Sequence, residues 1–295
     1  MPDLRPMDFG EILDGALSLF RRHFGLFLKL SVAVMWLPIA LLVYWRVRFL
    51  GFESGPEQMA AVLQTEIVPF LLWGVIWGVV YGCAMLLLTA GSIRIISDSY
   101  LGREPQFGEA LALGVGKIVP LFLVGFGRAI LLLLVCVLCV VAIVVLSTLV
   151  RTVGIALTVL TGIGTVTGTI WLLLYMWSGY LMTTPVVVLE SLPSAFDSFG
   201  RSWELTRRAK LRVFGLWIVG ILIAGVLPAL VIQAIGALVL ELVPGALVPW
   251  TVVSAAIPVA LTPIMPCVLT LAYYDLRVRR EGFDLQLLGQ QLGIV

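Results

Sequence analysis

Apolar residues fall along this chain in two arrangements. Six long runs cover about 26–45, 67–93, 121–150, 155–188, 213–236 and 250–273. Each reaches or exceeds the roughly 20 residues a helix needs to cross a bilayer core. Shorter stretches between them are amphipathic. In 9–22, Phe9, Ile12, Leu13, Ala16, Leu17, Leu19 and Phe20 recur at mostly helical spacing among Glu11, Asp14, Arg21 and Arg22. That period predicts a surface helix. Pro6 and Asp8 suit its start, and the two arginines complement its carbonyl end.

The pattern repeats. Pro6-Met7-Asp8-Phe9-Gly10-Glu11 returns as Pro105-Gln106-Phe107-Gly108-Glu109, and again as Pro193-Ser194-Ala195-Phe196-Asp197-Ser198-Phe199-Gly200. Each copy leads into two apolar runs. A partial fourth copy, Glu281-Gly282-Phe283-Asp284-Leu285, follows the last run. The expected architecture is therefore all-α: six transmembrane helices in three repeats of amphipathic helix plus hairpin. The repeats cover about 5–93, 104–188 and 193–273 of one membrane domain, 1–295, with 274–295 as a C-terminal tail.

Composition agrees with a membrane protein. Of the 295 residues, 61% are hydrophobic and 12% charged, against about 25% charged in a soluble domain. The first run is expected to stay as a span, since residues 1–29 mix acids and bases instead of showing a signal-peptide pattern. The distribution of cations sets the orientation. Fifteen of nineteen Lys and Arg precede span one or sit at its start, follow span six, or lie between spans two and three or four and five. Arg46, Arg48 and Arg151 lie on the other side. By the positive-inside rule both termini are cytoplasmic, and the expected location is a bacterial inner membrane.

The remaining cation, Arg128, stands inside span three. The repeat aligns it with Lys29 at the cytoplasmic end of span one, where a long side chain snorkels to the headgroups. The competing reading is a functional buried charge. Other candidates sit at cytoplasmic helix ends. Arg94 and Asp98 form an i,i+4 pair, and Asp275, Arg277, Arg279, Arg280 and Glu281 form a mixed-charge cluster. A solvated or mutually paired interfacial set is the default for both.

Within the spans, Gly74, Gly78 and Gly82 lie beside Trp73, Trp77 and Tyr81, a spacing that lets helices approach closely. Thr158, Thr161, Thr165 and Thr169 form a polar stripe on span four, either an interhelical contact or a hydrated groove. Threonines can also bond their own backbone. Pro258, Pro263 and Pro266 predict a kinked span six, and broken helices line substrate sites in transporters. Cys136 and Cys139 have CxxC spacing, but their uncharged surroundings disfavour thiolates. The single histidine, His23, excludes a multi-His metal site, and no GxxxxGK[ST] phosphate loop occurs. No cofactor, metal, catalytic residue or nucleic-acid partner is expected.

The repeat motif, Arg201-Ser202-Trp203-Glu204-Leu205-Thr206 and the ending Tyr273-Tyr274-Asp275-Leu276-Arg277-Val278-Arg279-Arg280-Glu281-Gly282-Phe283-Asp284-Leu285 resemble the bacterial glycerophosphoryl diester phosphodiesterase membrane domain family. The resemblance covers most of the chain. It implies a membrane module without the catalytic barrel that gives the family its label. The leading expectation is a non-enzymatic scaffold that docks cytoplasmic or membrane proteins. A small-solute or lipid transporter is the alternative, and an enzyme acting on a lipid headgroup is a third. Oligomeric state is open.

Overall fold

The computed structural model describes residues 5–50, 62, 64–148 and 154–283. Arg151 and the Asp284-Leu285 pair of the partial fourth copy lie outside them. Every regular element among the described residues is helical. The order is α1 (Phe9–Arg22), α2 (Phe24–Leu50), α3 (Ile67–Tyr100), α4 (Phe107–Thr148), α5 (Ile155–Tyr180), α6 (Thr183–Leu189), α7 (Asp197–Thr206), α8 (Lys210–Ile221), α9 (Leu227–Leu242), α10 (Leu247–Leu261) and α11 (Ile264–Glu281). Six stretches are long and apolar enough to cross a bilayer: Phe24–Phe49, Ile67–Tyr100, Phe107–Val145, Val159–Leu189, Lys210–Leu242 and Val248–Glu281. The protein is an all-α, multi-pass membrane protein.

The amphipathic stretches differ in how they join the spans. α1 is separated from α2 by a turn at His23, and α7 from α8 by a turn at 207–209. In the second copy there is no break, and α4 runs 42 residues from Phe107. At 1.5 Å per residue that is about 63 Å, twice a bilayer core. Prolines mark the other irregularities. A π-helical turn, Leu222–Val226, joins α8 to α9 just ahead of Pro228, whose ring clashes with the carbonyl a turn earlier. Span six breaks at Thr262-Pro263. The Thr262 amide and hydroxyl both donate to Pro258 O, at 2.9 and 3.0 Å, and Cys267 N donates to Pro263 O. These donors are spent within the break.

The helices form two compact units, residues 1–118 with 215–295, and 119–214. In the first, α11 is the central element. Tyr273, Thr270 and Cys267 are fully buried, and Val268, Leu271, Tyr274, Asp275 and Leu276 nearly so. Beyond 273, where a tail was expected, α11 continues to Glu281. It stops at Gly282, which adopts φ +59°, a left-handed cap that glycine enters without strain. The apolar face of α1, Ile12, Ala16 and Phe20, packs against α11, so this amphipathic helix buries its stripe in protein. Its first turn is pinned by Glu11, which accepts from Asp8 N at 2.7 Å and from Arg5 at 2.6 and 3.2 Å. The Arg5 hydrogen bonds, then the Asp8 amide, hold the Glu11 carboxyl below the ordinary range.

α2 and α3 pack through aromatics. Trp77 Nε1 donates to Pro38 O at 3.1 Å and Trp45 Nε1 to Phe70 O at 3.3 Å, while Tyr44 meets Trp73. Gly74, Gly78 and Gly82 do not carry this contact: a methyl group added at any of them meets nothing within 4 Å. The close approach is at Gly91, where an added methyl would stand 2.9 Å from Leu30 Cδ2.

In the second unit, α7 lies on α5 and α6. The most apolar stretches of Phe107–Val145 and Val159–Leu189 bury no residue, against 33% for span six. Their surfaces suit lipid contact. The threonine stripe is compatible with that: Thr165 and Thr169 hydroxyls donate to the carbonyls four residues back, both at 2.8 Å.

Candidate functional site

Four of the five sequence candidates converge in the first unit. The end of α3, the start of α4, the second half of α11 and the segment before α1 meet there. Asp98 is 3% exposed. Its Oδ2 is 2.7 Å from Arg94 Nε, and Arg94 Nη2 donates to Glu109 Oε2 at 3.0 Å. Next to Asp98, Ser97 Oγ and Tyr274 Oη share a buried hydrogen bond of 2.7 Å, tying α3 to α11. Tyr100 stacks at a tilt on Tyr274, with centroids 5.2 Å apart. His23 reaches the same helix end, its Nε2 lying 2.7 Å from Ser99 Oγ. Burial, then the Arg22 charge, push the His23 pKa down.

Asp275 is 2% exposed. Its Oδ1 accepts from the Met7 amide at 2.8 Å, and both carboxylate oxygens accept from Arg279 Nε, at 3.0 and 3.1 Å. Arg279 Nη2 returns to Met7 O at 2.8 Å. One turn of α11 thus clasps both backbone groups of Met7, 268 positions away in sequence. Arg277 faces another way. It donates to Glu281 at 3.0 Å and to Tyr273 Oη at 3.3 Å, with its guanidinium 4.0 Å from the Phe283 centroid.

Chemically this layer is closed. Asp98 has Arg94 and Asp275 has Arg279, and neither carboxylate lines the two apolar cavities described in the unit. Among the described residues no group of three His, Cys, Asp or Glu side chains is placed to hold a metal. What the layer can do is fix the N-terminal segment and three helix ends as one rigid surface.

Arg128 is elsewhere, in the second unit. It is half-buried, with its guanidinium 5.0 Å from the Trp177 ring centroid. No described carboxylate pairs with it. Such a contact is worth about 0.5–2 kcal/mol, and lysine can make it too. Arg128→Lys is therefore expected to keep the wild-type melting temperature in detergent. Arg128→Leu should lower it slightly, and in a Trp177→Leu background it should add nothing.

The second unit also holds a constellation that the linear sequence hid. Lys210 Nζ lies 3.1 Å from the Trp203 centroid and 3.3 Å from that of Tyr175. Trp203 packs against Gly179, where a Cβ would stand 2.5 Å from its ring. Ser202 and Thr206 hydroxyls both donate to Gly179 O, at 2.7 and 3.2 Å. Arg201 pairs with Glu190 at 3.0 Å. The Arg201–Thr206 motif is thus the dock that holds α7 against the end of α5. Its signal was hydroxyls and an indole on one face of a helix, but the matching glycine lies 23 residues upstream of Ser202.

No family model, curated protein or solved structure matches this chain.

Proposed function

We propose that this chain is a non-enzymatic module of a bacterial inner membrane, with both termini cytoplasmic. In this reading it scaffolds other proteins at the cytoplasmic face. The observation that carries it is the closed polar layer. Its two buried acids, Asp98 and Asp275, are held by Arg94, Arg279 and the Met7 amide, which rigidifies a surface, and neither lines the two apolar cavities described in this unit. The skew of Lys and Arg supports the orientation. The sequence motifs support membership of the glycerophosphoryl diester phosphodiesterase membrane domain family without its catalytic barrel, built as three repeats. The dock formed by Ser202, Trp203 and Thr206 gives one of those motifs a structural role.

Exposed apolar side chains beside that dock offer the contact surface: Leu211 is 89% exposed and Phe196 52%. The test is cross-linking in cells followed by affinity purification in mild detergent. A protein should copurify in fixed ratio with the wild type and be lost with the Phe196→Ser, Leu211→Ser double variant at unchanged melting temperature. Recovery of the same proteins with the double variant contradicts the reading. The alternative is a transporter component for a small solute or lipid, and the two apolar cavities described in the first unit, lined by no charged residue, support apolar cargo.

A further inference from the structure

Arg128 is the charged residue nearest the end of α4, and it lies at a telling depth. No charge occurs in 129–148 or 154–189. The 20 helical steps from Arg128 to Thr148, the last residue of α4, rise about 30 Å, the thickness of a bilayer's hydrocarbon. Trp177, over whose ring the guanidinium sits, stands 22 steps after Ile155, the first residue of α5, a rise of about 33 Å. Both helices therefore bring this pair to one hydrocarbon thickness from the segment that joins them, where lipid chains give way to headgroups. Tyr175 and Tyr180 lie in the same last turns of α5, and Trp and Tyr concentrate at that depth in membrane helices.

The guanidinium has a ring to rest on but, among the described residues, no acceptor for its N–H donors. Arg128 is half-buried, and its neighbours Phe126 and Ile130 are 57% and 49% exposed, so its outer side meets the bilayer. The surroundings carry a surplus of positive charge. α7 lies beside this turn, since a methyl group added at Gly127 would stand 3.2 Å from the Phe196 ring. The described part of the second unit holds Arg128, Arg201, Arg207, Arg208, Lys210 and Arg212 against Glu190, Asp197 and Glu204. Glu190 is 3.0 Å from Arg201, Asp197 accepts from the Ser194 amide at 3.0 Å, and Glu204 is 3.8 Å from Arg201. The complement of this end is an anion that resides at headgroup depth. An arginine can stack one face on an aromatic ring and give two parallel N–H donors to two phosphate oxygens. We propose that Arg128, seated on Trp177, binds the phosphate of one anionic phospholipid. The surplus of cations selects a headgroup without an ammonium of its own. The inference goes beyond the scaffold reading and does not rest on it.

The test uses full-length protein, purified in mild detergent and stripped of lipid. It is titrated with phosphatidylglycerol, phosphatidylcholine or inorganic phosphate, and the first binding event is followed by native mass spectrometry. The wild type should bind phosphatidylglycerol more tightly than phosphatidylcholine. Arg128→Leu should weaken the phosphatidylglycerol event about tenfold, the loss that removing a charge-assisted hydrogen-bonding partner gives. Arg128→Lys, which should melt like the wild type, loses the two-pronged contact and should fall between them. It decides the matter if the leucine variant fails to fold. Arg22→Leu removes an exposed cation of the first unit and should leave the event unchanged. Equal affinity for the two lipids overturns the proposal. So does binding that either folded Arg128 variant leaves unchanged, or an equal loss from Arg22→Leu. Inorganic phosphate that competes with the lipid at equal concentration would assign the site to free phosphate instead.

Discussion

Asp275→Ala lowers the melting temperature of the detergent-solubilised protein more than substitution of any other carboxylate in the chain. Asp275 is 2% exposed and serves two donors, the Met7 amide and the Arg279 guanidinium. Breaking a buried ion pair by removing one partner costs about 3–5 kcal/mol. Arg279 is about one-third exposed, so water can rehydrate it, and the loss belongs near the lower end, at about 3 kcal/mol. The Met7 amide loses its acceptor as well. Asp275→Asn keeps an acceptor for that amide and should lose about half as much. Arg279→Ala strands the buried carboxylate. The double variant should then be less destabilised than the sum of the single changes, because the two side chains act on one backbone segment. Additive losses in differential scanning fluorimetry would mean that Asp275 and Arg279 do not work as a clasp.

Trp203→Ala is the second large loss. The indole covers Gly179, touches Tyr175 and Tyr180, and caps the Lys210 ammonium. Deleting a large aromatic side chain costs about 3–5 kcal/mol, and half-burial of this ring places it near 3. Gly179→Val attacks the same contact from the other side: its Cβ would stand 2.5 Å from the ring, so the indole must leave and α7 with it. Overpacking of this kind costs about 1–3 kcal/mol. Lys210→Met keeps the apolar stem and removes only the charge, so it should cost about 1 kcal/mol. Equal tolerance of Gly179→Val and Gly78→Ala in melting measurements would show that α7 is not docked through Gly179.

The sequence made the spans legible because bilayer crossing needs long uninterrupted apolar runs, and these stand out without any tertiary knowledge. The α1 stripe was legible for a similar reason, its period being local. What Ile12, Ala16 and Phe20 pack against was not, because α11 lies some 250 residues away in sequence. The same limit explains the polar layer. The i,i+4 pairs Arg94–Asp98 and Asp275–Arg279 could be read from spacing alone. Their burial depends on Met7, Ser97 and Tyr274, which come from remote segments. Glycines misled in both directions. Gly74, Gly78 and Gly82 have the spacing of a packing stripe but face open space, while Gly91 and Gly179 carry the close contacts without any periodic mark. For Arg128 the spacing gave no hint of its neighbour, an indole 49 residues on.

The proposed orientation, with both termini cytoplasmic, rests on the distribution of Lys and Arg. Cysteine-accessibility labelling tests it most directly. Single cysteines at Glu104, Arg280, Val243 and Arg151, in a chain cleared of Cys83, Cys136, Cys139 and Cys267, are treated in intact cells with a membrane-impermeant maleimide. Val243 and Arg151 should label from outside, whereas Glu104 and Arg280 should label only after the membrane is opened. Labelling of Glu104 or Arg280 in intact cells would contradict the account.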